Sequence, residues 1–452
     1  MMLPISIKTA AKILTDAKTL EDAMFNGVCI NSGDITMGEL FIALEIGQRD
    51  GHDFVEHAES RGAAACMVSK IVGSGPKIIV PDTVRGLWEL GEICRDGFSG
   101  NVLALTGSFG KTSTRDFLGS ILKIRSKRNK CPLGVLVPQS NFNNHLGVPL
   151  TLTRLRPEHR DLVLELGANA VGEIDQLAKL TNPSVGAILN AKEAHMEGFG
   201  SAENIIKAKG EILPNIESQG IAILPAIDEG RNYWDSLLHD LHLITFGFET
   251  GDVCWSTLAN RFTEISTAQG LFSVRLPVMG QHFNQNASCA TAMALSVGAT
   301  LEDCKIGLES AVLQKGRMSA NFLSNSQLLI DDSYNASPES VRAAIDWLAD
   351  QNGSRLLILG GLSELGTFQQ DIMETLGQYA FNKGIDRLIT TGFGYSFTKG
   401  FGLKYAKHVP IDDLLSEITR WTSSADVILV KASRSEKLEQ IVESLISSIG
   451  LS

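Results

Sequence analysis

Apolar residues fall into short blocks separated by polar turns, and the block spacing changes twice along the chain. Between Val28 and about Val80 the runs GVCI, LFIAL, AACMVS and KIIVP alternate with turn residues, and DFVEHAESRG, with a helical period, lies among them. Short apolar runs bounded by turn residues predict strands, so this stretch predicts a small α/β unit. TVRGLWELGEICRDGF, residues 83–98, has the period of an amphipathic helix. From about residue 99 the strand-like runs NVLALT, DLVLELG, SVGAILN and GIAILP alternate with helical stretches, the pattern of a parallel sheet with crossover helices. QLLIDDSY, RLLILGG, DRLITTG and DVILVKAS form a third series, which predicts a doubly wound sheet. LQKGRM, residues 313–318, is the expected linker before it. The reading is α/β throughout, with domains at 1–98, 99–314 and 315–452, consistent with a chain of 452 residues being too long for one core.

A net charge of −11 argues against a nucleic-acid partner, which calls for a basic face. The local exception is LKIRSKRNK, residues 122–130, read either as a solvated turn after a helix or as help in holding an anionic substrate. Seven scattered cysteines without a C-x-x-C spacing predict reduced thiols. No apolar run approaches the ~18 residues of a membrane span, and MMLPISIKTAAK lacks the apolar core of a signal peptide. The expectation is a cytoplasmic enzyme.

LALTGSFGKTST, residues 103–114, carries the chemistry. A Walker A loop reads G-x-x-x-x-G-K-[ST], yet Leu105 stands where the first glycine belongs, and the loop begins at Gly107. The context is nonetheless that of a phosphate loop, with a buried-strand run before it and a helical run after. Gly107 and Gly110 allow backbone N–H groups to turn toward an anion, and the helix start adds partial positive charge. Lys111 has the reach for β- and γ-phosphates, and the Thr112 hydroxyl suits Mg²⁺.

The shortened form Thr-Gly-Ser-x-Gly-Lys-Thr, from Thr106 through Thr112 and followed by Ser113, resembles the Mur ligase family, ATP-dependent enzymes that extend the peptide of the bacterial cell-wall precursor. ELGANAVGEI (165–174) resembles that family's acidic metal segment, and NAKEAHMEGFGSAENIIKAKGEIL (190–213) its histidine-and-lysine metal segment. GQHFNQNASCATAMAL (280–295) is similar to its adenine-contact helix and GRM (316–318) to its interdomain arginine. SNFNNHLGVPLT, DDSYNASPES, LVKASRSEKLE and DGHDF resemble the branch that joins D-alanyl-D-alanine to a UDP-N-acetylmuramoyl-tripeptide.

That resemblance implies a small uridine-binding unit, a central phosphate-loop ATPase domain and a carboxyl-terminal Rossmann-like domain for the dipeptide. It implies ATP, two Mg²⁺ ions and a monomer. Thr106, Gly107, Ser108, Gly110, Lys111, Thr112, Ser113, Asn286, Arg317 and Asp332 would contact ATP. Thr112, Glu165, His195 and Lys209 would serve the metals, Lys209 as a carbamate, with Lys111, Lys209 and His195 central to catalysis. Ser32 would touch the uracil, and Asn143 and Asn144 would line the sugar-peptide site. Asn335 is a weaker substrate candidate, His282 a weaker nucleotide one, and Lys431 and Arg434 would meet the dipeptide carboxylate. The chain departs from the family's usual residues at Asn31-Ser32-Gly33 (Asp-Ser-Arg), Phe109 (Asn), Ser337 (Asn), Gly361 (Asp) and Ala432 (Gly). Competing readings are a Mur-type ligase for another amino acid, of the folylpolyglutamate or cyanophycin kind, and a nucleotide-binding scaffold without catalysis.

Overall fold

The computed structural model describes residues 4–138, 142–192, 196–258, 262–278, 280–323, 327–362, 369–422 and 425–449. Its main sheets number three among the described residues, with two small two-stranded ribbons. The amino-terminal sheet has five strands in the order Lys18–Leu20, Lys77–Ile79, Ala65–Val68, Glu39–Ile42, Gly27–Cys29. Its predicted runs are all strands, paired in parallel, while Lys18–Leu20 adds an antiparallel edge.

The central sheet has nine strands, in the order Val135–Leu136, Asp161–Glu165, Asn101–Thr106, Val185–Ile188, Ile221–Pro225, His242–Phe248, Val253–Thr257, Thr263–Thr267, Gly270–Val274. The first seven are parallel and the last two antiparallel. The expected parallel sheet is present, and two further strands extend it at one edge. The tight turn between Thr267 and Gly270 reverses the chain and makes the last pair antiparallel. Strand Asn101–Thr106 sits inside the sheet with its apolar residues buried on both faces, as parallel sheets require.

The third sheet runs Ser319–Phe322, Leu328–Asp332, Val427–Lys431, Arg355–Leu359, Arg387–Thr390, Ala406–His408. All pairs are parallel except the Ser319–Phe322 edge. The strand order reverses around Val427–Lys431, so the crevice at its carboxyl end is the place where such folds bind ligands.

Helix Thr83–Asp96, capped by Asp82, bridges the first two sheets. A Cβ on Gly91 would come within 3.1 Å of Pro149, so this glycine permits a close approach of helix Gly147–Leu152. The Trp88 indole donates to the His145 carbonyl at 2.7 Å, and Arg95 donates to the Thr181 and Asn182 carbonyls. Leu150 of the central region is buried in the amino-terminal core. Each fully buried Leu or Ile in such contacts contributes ~1.5–3 kcal/mol relative to exposure.

The basic stretch at 122–130 takes up the last turns of helix Lys111–Arg128. Arg125 pairs with Asp161 at 2.9 Å and Arg128 with Asp303 at 2.8 Å, while Lys123, Lys127 and Lys130 are exposed. This is a helix end anchored by two arginines, and none of the five lines the cleft described below. All seven cysteines are free thiols. No described helix is long and apolar enough to cross a membrane.

Candidate active site

The loop 107–110 connects strand Asn101–Thr106 to helix Lys111–Arg128. Gly110 adopts φ +80, and a Cβ there would collide with Oδ1 of Asn286. Two independent constraints, left-handed backbone and lack of room, therefore fix glycine at this position. Asn286 lies buried on helix Gln281–Ser296 and is pressed against the loop.

Lys111 folds back over the loop, its Nζ donating to the carbonyls of Gly107 at 2.6 Å and Ser108 at 3.2 Å. Burial pulls its pKa down to about 8, with Glu165 opposing and Arg317 reinforcing the shift. Thr106 is committed to the sheet, donating to the Leu166 carbonyl at 2.8 Å, and Ser108 donates to the Lys192 carbonyl at 2.6 Å. Thr112 and Ser113 are buried at the helix start and face the cleft.

Glu165 ends strand Asp161–Glu165 beside the loop and is fully buried. Its Oε1 accepts from Asn143 Nδ2 at 2.8 Å, whereas its buried Oε2 accepts no hydrogen bond. Arg115 Nη1 stands 3.8 Å from that second oxygen and also pairs with Asp116. A buried carboxylate oxygen without a donor is costly to leave so, and it is a hard ligand aimed into a cationic site.

Helix Ala202–Gly210, capped by Ser201, carries two lysines with different fates. Lys207 is exposed and pairs with Glu203 at 3.3 Å. Lys209 is 2% exposed, and its Nζ lies 5.1 Å from the centre of the Phe199 ring. Burial first, then the charge of Lys111, pull its pKa down to about 7, against the opposing pull of Glu211 and Glu173. His195 lies outside the described residues.

The linker and the third sheet close the other side. Arg317 Nη2 donates to Thr112 Oγ1 at 3.1 Å, and the guanidinium stacks 4.6 Å from the centre of the Tyr334 ring. Asp332 accepts from Met318 N at 3.2 Å and from Lys431 Nζ at 2.6 Å. Burial raises the Asp332 carboxyl pKa, with Lys431 working against that rise. Lys431 also donates to the Asn335 carbonyl at 3.0 Å.

Of these groups, Ser108, Gly110, Lys111, Thr112, Ser113, Asn143, Asn286, Arg317, Asp332, Asn335 and Lys431 line one cleft of about 1160 Å³, whereas Thr106, Gly107, Glu165 and Lys209 do not line it. The lining of the cleft joins Trp88, the phosphate loop, Asn143, Asn144, His282 and Asn286 to Arg317, Asp332, Asn335 and Lys431. Asn144 presents its carbonyl oxygen to the N–H groups of Leu146 and Gly147, which holds the wall in shape.

Two matches decide the family. Residues 105–294 match the Mur ligase middle domain, and residues 316–434 match the Mur ligase glutamate ligase domain. The UDP-N-acetylmuramoyl-tripeptide–D-alanyl-D-alanine ligase of Escherichia coli K12 is 35% identical over 98% of this chain and 99% of its own. The chain belongs to the Mur ligase family.

Other relatives of this Mur ligase extend the picture. The ligase of the same description from Bacillus subtilis is 32% identical over 95% of this chain and 94% of its own. A crystal structure of MurF from Acinetobacter baumannii superposes with a TM-score of 0.88 at 32% identity, covering 99% of each chain. MurF ligase from Thermotoga maritima, solved in complex with ADP, superposes with a TM-score of 0.80 at 27% identity, over 94% of this chain and 98% of its own. The Mycobacterium tuberculosis folylpolyglutamate synthase, at 12% identity and a TM-score of 0.61, shares the fold.

Within this Mur ligase Ser32 and Arg434 do not line the cleft either. Ser32 is buried in a short turn of the amino-terminal sheet, its Oγ 3.0 Å from His57 Nδ1. Arg434 is exposed, pairs with Glu439 at 3.0 Å and lies 5.4 Å from the Tyr334 ring centre. Sequence reasoning passed over Arg115 and Tyr334. Arg115 follows the loop on a helix that reads as amphipathic, and only the fold brings it to Glu165. Tyr334 was visible inside DDSYNASP, but nothing local says that its ring meets two arginines.

Proposed function

We propose that this Mur ligase joins D-alanyl-D-alanine to UDP-N-acetylmuramoyl-tripeptide at the expense of ATP, in peptidoglycan precursor synthesis. The observation that carries the reading is the cleft itself. A phosphate loop with its lysine and a linker arginine converge there, with the buried Glu165 carboxylate held behind the lining by Asn143, in a chain matched end to end by ligases of that description. The spans 1–98, 99–314 and 315–452 would hold the uridine end, ATP, and the dipeptide respectively. One chain completes the cleft, so the enzyme would act as a monomer, in the cytoplasm where its nucleotide substrates are made.

A carboxylate is a poor electrophile, so ligation needs activation. The tripeptide carboxylate attacks the γ-phosphorus of ATP, ADP departs, and an acyl phosphate remains. The dipeptide amine then adds to the acyl carbon, loses its proton, and expels inorganic phosphate as the amide forms. The protein's task is positioning and positive charge around the transferring group. Lys111 and Arg317 supply that charge, and swinging Lys111 from the Gly107 and Ser108 carbonyls would turn it toward phosphate. Thr106, Gly107, Ser108, Gly110 and Ser113 would shape the loop around the phosphates. Asn286, with Asp332 across the linker, would hold the nucleoside.

The donor set fits Mg²⁺: the orphaned Oε2 of Glu165 and the hydroxyl of Thr112 are hard oxygen ligands. Bound there, Mg²⁺ would supply charge that neutralises phosphate oxygens. His195 and Lys209 would serve a second ion, Lys209 as a carbamate. A buried lysine with a pKa near 7 holds much of its amine neutral at neutral pH, the form that adds CO₂. Ser32 would contact the uracil, Asn143, Asn144 and Asn335 the sugar-peptide, and Lys431 and Arg434 the dipeptide carboxylate. Lys431 would do so while tied to Asp332. The reading is tested by ADP release from purified protein given UDP-muramoyl-tripeptide, with and without D-alanyl-D-alanine. Release that requires both supports it, and release independent of the dipeptide counts against it.

A further inference from the structure

The linker before the third sheet lies along one face of the phosphate-loop helix. Thr112 and Asp116 stand four positions apart on helix Lys111–Arg128, which puts them on the same side, about one turn from each other. Each receives a donor from the linker. Asp116 Oδ2 accepts from the Gln314 N–H at 3.1 Å, and Arg317, three residues on, donates from Nη2 to Thr112 Oγ1 at 3.1 Å. Among the described residues, the backbone of 312–315 makes the Gln314 hydrogen bond and no other.

Past the exposed Lys315 the linker belongs to the third sheet. The Gly316 carbonyl accepts from Tyr334 N at 3.0 Å, and Met318 N donates to Asp332 at 3.2 Å. Gly316 has φ +79 and Met318 φ +54, the latter uncommon for a residue with a side chain. The backbone here is therefore shaped by its contacts to that sheet, and Arg317, between the two, is tied to it. Gln314 is held instead to the phosphate-loop helix. Asp116 holds it from a fixed position, because its other oxygen is also engaged. Asp116 Oδ1 accepts from Arg115 Nε at 3.0 Å and Nη2 at 2.7 Å, and Arg115 Nη1 stands 3.8 Å from Glu165 Oε2.

We propose that Asp116 is a positioning residue for ligation: it pins the linker at Gln314 and so sets where Arg317 stands over the phosphate loop. The inference rests on the ligase reading above. Asp116 does not line the cleft, whereas Arg317 does, so the carboxylate acts through the arginine and not on substrate. The guanidinium stabilises charge on the transferring phosphoryl group only from the right place, and a misplacement of about 1 Å can cost ~10²-fold in rate. With the pin released, 312–315 keeps no backbone hydrogen bond among the described residues, and Arg317 is aimed from the third sheet alone.

The experiment is steady-state ligation by the full-length enzyme, comparing Asp116→Asn, Arg317→Ala and the double variant, with thermal melting to follow the fold. The amide keeps the shape of the carboxylate but has one acceptor oxygen, so it cannot serve both Arg115 and Gln314. The expected result for Asp116→Asn is a fall of about ten- to a hundredfold in kcat, with the KM values for D-alanyl-D-alanine and UDP-muramoyl-tripeptide within about twofold. In the Arg317→Ala background the same change should cost less than about twofold, because the residue it acts through is gone. A merely structural role would instead give losses that multiply. Gln314→Pro removes the N–H from the other end and leaves the Arg115–Asp116 pair in place; it should reproduce the fall in kcat, and it carries the test if Asp116→Asn does not fold. Unchanged kcat in either folded variant overturns the proposal, as does a parallel rise in the KM values or a full further loss in the Arg317→Ala background. Dipeptide-dependent ADP release by the unaltered enzyme is the separate control: its absence would bring down the ligase reading, and this inference with it.

Discussion

Arg317 and Thr112 stand 205 positions apart, yet Nη2 of the first donates to Oγ1 of the second at 3.1 Å. The bond ties the linker before the third sheet to the first turn of the phosphate-loop helix. It also engages the hydroxyl that would hold the metal, while the neighbouring Arg317 Nε is buried without a partner. An incoming nucleotide would take over these donors, and the linker would follow it. Arg317→Ala should lower kcat by about 10²–10³-fold, the usual range for removing one donor to developing charge. Arg317→Lys should recover little, because an ammonium lacks the planar fork that reaches two acceptors. Single-turnover ADP release at saturating ATP measures this, and near-normal turnover of Arg317→Ala would exclude the role.

Gly110 and Asn286 make a second close pair, with a local prediction. Gly110→Ala must place a Cβ at φ +80 and against Oδ1 of Asn286. The backbone part alone costs about 1–2 kcal/mol, and the collision adds to it. Pairing Gly110→Ala with Asn286→Ala should remove the collision but leave the backbone cost, so the two changes will be non-additive. Denaturant midpoints of the two single variants and the double variant provide the check. Simple additivity would mean that the two residues do not meet.

The strands that position the site were legible because they are apolar runs buried on both faces: NVLALT, DLVLELG and DVILVKAS are all strands in the structure. The ribbon from His242 to Val274 was missed because its strands are partly exposed and rich in polar residues. The loop lysine, Glu165 and Lys209 could be picked out by residue type and neighbourhood. Their partners could not. Lys431 meets Asp332 because their strands pair in register 99 residues apart, and Asn143 meets Glu165 only once the chain is folded. Long-range pairing leaves no local trace in the sequence.

Lys111 offers a separation of chemistry from folding. Its ammonium is buried at a pKa of about 8 and, among the described residues, bonded only to loop carbonyls. Lys111→Ala should abolish dipeptide-dependent ADP release and leave the melting temperature unchanged or slightly raised, since an unfavourably buried charge is removed. Calorimetry on the variant, beside the activity assay, distinguishes the outcomes. A variant that melts far below the parent would make the lysine a structural residue.

Lys209 allows two tests that do not share a readout. If its carbamate serves a metal, Lys209→Ala should lose most activity and regain part of it with acetate, a small carboxylate that can enter the vacated space. Lys207→Ala, altered at an exposed side chain paired with Glu203, should remain active. The second test follows protons. In the folded protein Lys209 titrates at about 7, against an ordinary 10.5. Between those values the unfolded chain binds more protons than the folded one, so stability rises with pH across the window. Below pH 7 both states are charged and the full cost of burying the ammonium is present. Above 10.5 both are neutral and that cost is gone. In CO₂-free buffer, then, Lys209→Met should melt above the parent protein at pH 6.5, and the gap should narrow steadily toward pH 10. With bicarbonate and Mg²⁺ present the gap at neutral pH should shrink, because the carbamate replaces a buried cation by an anion that the metal neutralises. A gap independent of pH would mean that Lys209 keeps an ordinary pKa in the fold, and a gap indifferent to bicarbonate would count against the carbamate.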